Sequence, residues 1–147
     1  MKWSVLILLV VAAGYLAFTQ NPNLKLHHAG GIEAASRSDR ALASAFRNHK
    51  HDVPVEGRGT VVRVLPDDTR GSRHQRFILR LDSGQTLLVA HNIDVAPRIP
   101  DLKDGDEVAF SGEYEWNPQG GIIHWTHRDP DGRHPAGWLR HDGRTYR

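Results

Sequence analysis

The chain of 147 residues contains no cysteine. Disulfide bonds, thiolate metal ligands and cysteine nucleophiles are therefore excluded, and the redox compartment stays open. Lysine is scarce as well, since it occurs only at positions 2, 25, 50 and 103. Arginine therefore supplies most of the positive charge, and it favours bidentate contacts with phosphate or carboxylate groups. A solvated, arginine-biased surface is the simpler interpretation, because the formal net charge is only +2.

What the chain does contain is the composition of one globular domain. Hydrophobic residues make up 39% and charged residues 24%, which is typical of a folded protein rather than a disordered one. A length of 147 residues leaves no room for two sizeable cores.

The N-terminal segment, residues 1–19, carries a run from Trp3 to Phe18 without a single charge. This run is longer than the apolar part of most signal peptides and shorter than the roughly 20 residues of a spanning helix. We expect a signal anchor, with a cleaved signal peptide as the alternative. The rest of the chain is then exported, either anchored in the inner membrane and facing the periplasm or free in the periplasm.

A linker and a helix are predicted next. Residues 20–31 are polar and predict a linker. Across residues 32–50 apolar side chains recur at helical spacing, which predicts one amphipathic helix packed on the following domain. Its apolar stripe includes Ile32, Leu42 and Phe46, whereas Asp39 faces away.

Residues 53–147 alternate with the period of two that is typical of strands. The predicted strands are residues 53–65, 76–81, 86–92, 106–116 and 121–126. A meander of three strands, a crossover and a final hairpin predict a mainly β fold, a five-stranded OB-like small barrel. The N-terminal hydrophobic helix and the amphipathic helix precede it. A C-terminal hairpin, Trp138–His141 and Arg144–Tyr146, is expected to cover one barrel opening.

Two long strings, GSRHQRFILRLDSGQTLLVAHNID and GEYEWNPQGGIIHWTHRDP, are followed by GWLRHDGRTY. Together they resemble a family of small exported bacterial proteins classed as a domain of unknown function. The resemblance covers roughly residues 55–146. It implies an OB-like barrel behind a membrane-targeting segment, and it implies no catalytic role for any residue.

Four polar patches fall at the ends of predicted strands, where side chains are carried by the scaffold without filling its core. In an OB topology these ends meet at one end of the barrel. The predicted ligand-binding residues are Asp67, Asp68, Arg73, His74, Gln75, His91, Asn92, Asp94, His124, Trp125, His127 and Asp129. Pairing Asp82 with Gln85 would put His74 and His91 on one outer face.

Three functions fit these patches. The first is a membrane-tethered, periplasm-facing binding module for a small anionic ligand or an oligosaccharide. The second is a hydrolase of phosphodiesters or glycans, whose catalytic candidates are His74, His91, His127 and Asp129. Its three histidines are also candidate ligands of a divalent metal ion, although their spacing matches no known metal signature. The third is a structural envelope protein, and a nucleic-acid partner has weaker support because few aromatic side chains offer stacking surfaces.

Overall fold

The computed structural model describes residues 22–147, with side chains described from residue 30 onward. The predicted signal anchor or signal peptide, residues 1–19, lies outside the described residues. Within residues 22–147, no helix is both long and apolar enough to span a membrane.

Seven strands form the greater part of the domain. They are β1 (Val53–Asp68), β2 (His74–Arg80), β3 (Thr86–Asn92), β4 (Glu107–Glu115), β5 (Ile122–His124), β6 (Trp138–His141) and β7 (Arg144–Tyr146). All five predicted strands and the C-terminal hairpin are present, with bounds that shift by up to three residues. The mainly β fold class is therefore confirmed.

Five of these strands close into a ring in the order β1-β2-β3-β5-β4, because β1 pairs with both β2 and β4. Strands β3 and β5 run parallel, and the other pairs in the ring are antiparallel. Close packing requires glycine at two positions of β1. A Cβ on Gly57 would lie 2.7 Å from the ring of Phe110, and one on Gly59 would lie 2.8 Å from the carbonyl oxygen of Arg80.

The register of β2 and β3 differs by one residue from the predicted one. Leu81 N–H donates to the Gln85 carbonyl, and Gly84 takes a left-handed φ of +88°, so the loop has three residues instead of two. Gln75 consequently pairs with His91, and both face the core. The prediction that His74 and His91 share an outer face is wrong, since a one-residue shift sends His91 inward.

The single helix among residues 22–147 is α1 (Pro22–Arg47). The predicted linker is therefore wrong from Pro22 onward. Proline is tolerated there because the first position of a helix needs no hydrogen-bonded N–H group. The chain divides into two units, residues 1–34 and 35–147, so α1 contributes to both.

The second half of α1 packs on the strand ring through Leu42 and Ala45, which are 0% and 5% exposed. The predicted stripe is only partly right, since Ile32 is 64% exposed and Asp39 is buried. The Asp39 carboxylate accepts a hydrogen bond of 2.9 Å from the backbone N–H of Ser83, in the turn between β2 and β3. Burial of this carboxylate is thus compensated, and the bond fastens the helix to the sheet.

The C-terminal hairpin extends the sheet along β4, and its Leu139 and Tyr146 join the buried core. Strand β6 pairs antiparallel with β4, with Ala109 opposite Arg140 and Ser111 opposite Trp138. This edge of β4 is available to β6 because β5 has only three residues and pairs with residues 113–115 of β4. Unpaired backbone groups of β4 are thereby satisfied by the hairpin.

Candidate metal centre

The four sequence-predicted patches do meet at one end of the strand ring. Asp68, at the end of β1, pairs with His74 at the start of β2. The Arg73 side chain donates to the carboxylate of Asp94 at 2.7 Å, which joins the start of β2 to the segment after β3. His91 bonds to Thr126, just beyond β5. The ends of β1, β3 and β5 and the start of β2 therefore converge, as the strand order requires.

Most polar groups at this end hold the crossover between β3 and β4. The side-chain amide of Gln75 donates to the Ile99 carbonyl and accepts from the Ile99 N–H, both at 2.9 Å. Arg98 pairs with Asp67, and Asn92 accepts from the backbone N–H of Asp94. The bonds of Gln75 and Asn92 satisfy buried or turn-forming backbone groups, and the Arg98–Asp67 pair links the crossover to β1. Each of these side chains thus serves the fold at this position.

His91 is fully buried, and both its ring nitrogens are engaged. Nδ1 lies 2.8 Å from the Thr126 hydroxyl, and Nε2 lies 3.0 Å from the Pro97 carbonyl. Burial, aided by the neighbouring imidazoles of His127 and His74, lowers the pKa of His91 to about 4, although the hydrogen bond to the Pro97 carbonyl opposes the shift. His91 is therefore neutral at pH 7 and, in this arrangement, has no nitrogen free for a metal.

The patch after β5 forms a tight loop that presents His134. Asp129 accepts hydrogen bonds from the backbone N–H groups of Asp131, Arg133 and His134. The first of these bonds lowers the pKa of Asp129, so its carboxylate stays ionised. The ring of His134 stacks on Trp125 at 4.1 Å with an interplanar angle of 9°. Asp129 thus organises a loop and has no contact with His74 or His91 among its hydrogen bonds.

His127 is buried beside this loop, with Nδ1 2.7 Å from the Arg128 carbonyl. His124 flanks the buried Ile123 and lies on the outer face of the sheet. The separation of His124 and His127 by strand alternation stays a prediction, because β5 ends at His124.

A different group of side chains meets on that outer face. Glu113 and Glu115 flank the buried Tyr114 on β4, so both project outward, and Glu113 pairs directly with His124 on β5. We call Glu113, Glu115 and His124 the glutamate–histidine cluster. One ligand atom from each residue lies within 4.8 Å of the other two.

His124 Nε2 is the exceptional atom of the cluster. It is inaccessible to solvent and has no hydrogen-bond partner among the described residues. It lies 3.4 Å from Oε1 of Glu113 and 3.8 Å from Oε1 of Glu115. A buried nitrogen of this kind costs free energy unless a partner satisfies it.

The outer oxygens of the two glutamates are held by other imidazoles. His134 Nε2 lies 2.7 Å from Oε2 of Glu113, and His51 Nδ1 lies 2.6 Å from Oε2 of Glu115. The backbone N–H of Asp52 also donates to Oε1 of Glu115. Each carboxylate is thereby oriented with its Oε1 toward His124, as outer-sphere partners orient metal ligands.

These contacts keep the Glu115 carboxylate charged. Burial raises the pKa of Glu115, but the hydrogen bonds from His51 and Asp52 outweigh it and the net shift is downward. Burial lowers the pKa of His134, yet its bonds to the Pro135 carbonyl and Glu113 raise the pKa above its ordinary value. Both partners of the His134 ring are acceptors, so both of its nitrogens donate.

The arrangement fits a divalent transition metal ion. Zinc binds imidazole nitrogen and carboxylate oxygen at about 2.0–2.2 Å, which puts neighbouring ligand atoms of a tetrahedron about 3.4 Å apart. The separations of 3.4 and 3.8 Å around His124 Nε2 therefore need little adjustment. Three protein ligands would leave a fourth position for water or another ligand.

Sequence reasoning included His124 among the ligand-binding residues but missed Glu113, Glu115 and His134. Two glutamates at alternate positions of one strand are a usable signal, since they share a face. Their meeting with His124 depends on the turn between β4 and β5, where Asn117 and two left-handed glycines set the register. That register is not readable from composition or periodicity.

The fold and the cluster define a mainly β domain with a five-stranded ring and a carboxylate–imidazole group on its outer face. Residues 24–147 match the family model described as protein of unknown function DUF3465, and the chain belongs to that family. The predicted membership in a domain of unknown function is confirmed. A comparison with curated proteins finds no match.

Proposed function

We propose that this protein is a binding module that takes up one divalent transition metal ion at Glu113, Glu115 and His124. The observation that carries the proposal is His124 Nε2, a buried nitrogen that faces two carboxylate oxygens and has no hydrogen-bond partner within the part of the chain that the structure describes. A metal ion satisfies this nitrogen and neutralises the two carboxylates at the same time.

We propose further that the strand ring is an OB-like barrel. The strand order, the parallel pairing of β3 with β5 and the helix packed on the β2–β3 turn support this assignment. The cluster then lies on the outer wall of the barrel, away from the end at which the sequence predicted the ligand.

The location that we propose is the cell envelope, with the domain facing the periplasm. The support is the uncharged run of residues 3–18 after Lys2, which has the character of a signal anchor. Membrane tethering and export thus rest on the sequence alone.

Hydrolysis is the second candidate function, because three protein ligands leave one coordination position. In zinc hydrolases that position holds the water that attacks the substrate. Turnover of bis(p-nitrophenyl) phosphate by the zinc-loaded protein, lost in Glu113→Gln, would favour this activity over binding alone.

Calorimetric titration of the metal-free full-length protein with zinc at pH 7 tests the proposal. We expect one zinc ion to bind per chain, and magnesium to bind far more weakly because it prefers an all-oxygen octahedral shell. The absence of zinc binding by the folded protein would contradict the proposal. It would favour the third function, a structural envelope protein whose polar groups only hold loops.

A further inference from the structure

A cavity of about 200 Å³ lies beside the glutamate–histidine cluster. Its walls are residues 54–56 of β1, residues 111–113 of β4 and residues 134–137 of the loop before β6. Glu113 and His134 belong both to these walls and to the surroundings of the proposed metal. A ligand that fills the cavity therefore borders one of the proposed metal ligands, Glu113.

The loop wall of the cavity is fixed before any ligand arrives. The ring of His134 donates to Glu113 and to the Pro135 carbonyl at 2.9 Å, and it stacks on Trp125. The backbone N–H of His134 donates to the carboxylate of Asp129. A rigid wall lowers the conformational entropy that is lost when a ligand binds. The arrangement is that of a preformed pocket rather than a gap between mobile loops.

Hydrogen-bond acceptors predominate among the polar side chains of the cavity. The carboxylate of Glu56 only accepts, and the hydroxyl of Ser111 can accept or donate. Both nitrogens of His134 are already committed to acceptors. A ligand must therefore donate a hydrogen bond to Glu56, and an anion finds no lysine or arginine among the described residues that line the cavity.

The remaining lining is apolar and rigid, since Pro54, Pro135 and Ala136 contribute to it. Such walls suit the C–H faces of a saturated ring. Hydroxyl donors on a compact ring with apolar faces are the chemistry of a sugar, and a simple amine would leave the proline surfaces unused. We infer that the cavity binds one neutral sugar residue.

This inference deepens the proposed function and rests on it. His134 already holds Oε2 of Glu113, whereas Oε1 makes no hydrogen bond among the described residues. Metal binding at Oε1 would hold this second oxygen of a carboxylate that also borders the sugar, so each ligand should favour the other. By thermodynamic linkage the two effects are equal. We expect zinc to raise sugar affinity about fivefold or more, and sugar to raise zinc affinity by the same factor.

The experiment is a set of titrations of the full-length protein, with zinc and with EDTA. The probes are N-acetyl-D-glucosamine, D-glucose, D-glucuronate and ethanolamine. We expect the two neutral sugars to bind and to bind more tightly with zinc. Preferential binding of glucuronate or ethanolamine, or equal sugar affinity with and without zinc, would overturn the inference.

Two variants locate the sugar. Ala136 is exposed at the cavity wall, so the larger side chain of Ala136→Trp should fill the cavity and weaken sugar binding at least about tenfold. Zinc binding to the sugar-free protein should be unchanged. Glu56→Gln should weaken sugar binding by a similar factor, because it removes a charged acceptor from the cavity. The matched control is Glu107→Gln, which changes an exposed glutamate outside the cavity and should leave sugar binding unchanged. Unaltered sugar binding in Ala136→Trp would overturn the inference.

The two proposals fail in different ways. A protein that binds zinc but no sugar contradicts only the sugar site. A protein that binds neither contradicts the metal centre and, with it, the inference that depends on the metal.

Discussion

Replacement of His124 by alanine is expected to lower the affinity for zinc roughly 100-fold or more, because it removes one of three protein ligands. The substitution leaves the fold intact, since the side chain is 35% exposed and makes no hydrogen bond among the described residues. Competitive titration against a chromogenic chelator measures the loss. Circular dichroism checks that the variant is folded.

His74→Ala is the matched control for this experiment. His74 is another partly buried histidine on the outer face of a ring strand, and its Nδ1 bonds to the Ser72 carbonyl. We expect it to keep wild-type zinc affinity. Equal losses in the two variants would mean that zinc binds nonspecifically to histidines or at the ring end, contrary to our account.

Acidification is expected to destabilise the folded domain through His91. Its pKa falls from an unfolded value near 6.5 to about 4 in the folded state, so the unfolded chain binds the extra proton between these values. The titration of His91 therefore leaves the unfolding free energy unchanged above about pH 6.5, and it destabilises the folded state progressively as the pH falls from 6.5 to 4. The loss amounts to about 3 kcal/mol of unfolding free energy.

The variant His91→Gln separates this effect from the titration of carboxylates. We expect it to be less stable than the wild type at pH 7.5, because the bonds to Thr126 and Pro97 are disturbed. Between pH 7.5 and 4 the variant should lose about 3 kcal/mol less unfolding free energy than the wild type does. Urea unfolding at both pH values measures this, and an unchanged pH dependence would refute the burial of a neutral His91.

Much of the strand architecture could be predicted from alternation alone. Buried Phe77 and Leu79 alternate with polar neighbours, and turn residues such as Asn117 and Gly120 mark the strand ends. The extent of the helix could not be predicted, because its first turns carry polar residues that a helix tolerates as well as a linker does.

The site was harder to predict because it depends on register. One extra residue in the β2–β3 loop moved His91 from the outer face to the core, where its polarity serves a buried hydrogen-bond pair with Thr126. Conversely, Glu113 and His124 meet only through cross-strand pairing of β4 with β5. The predicted polar patches proved to be mostly hydrogen-bonded loop anchors. The convergent donor atoms lie at the ends of β4 and β5, where the sequence predicts only His124.

The most direct test of the metal centre is the anomalous scattering of a crystal of this protein grown with zinc, measured on both sides of the zinc absorption edge. We predict one strong anomalous peak about 2.0–2.2 Å from Nε2 of His124 and from one oxygen of each of Glu113 and Glu115. A peak at His74 or His127 with none at the glutamate–histidine cluster would contradict the account.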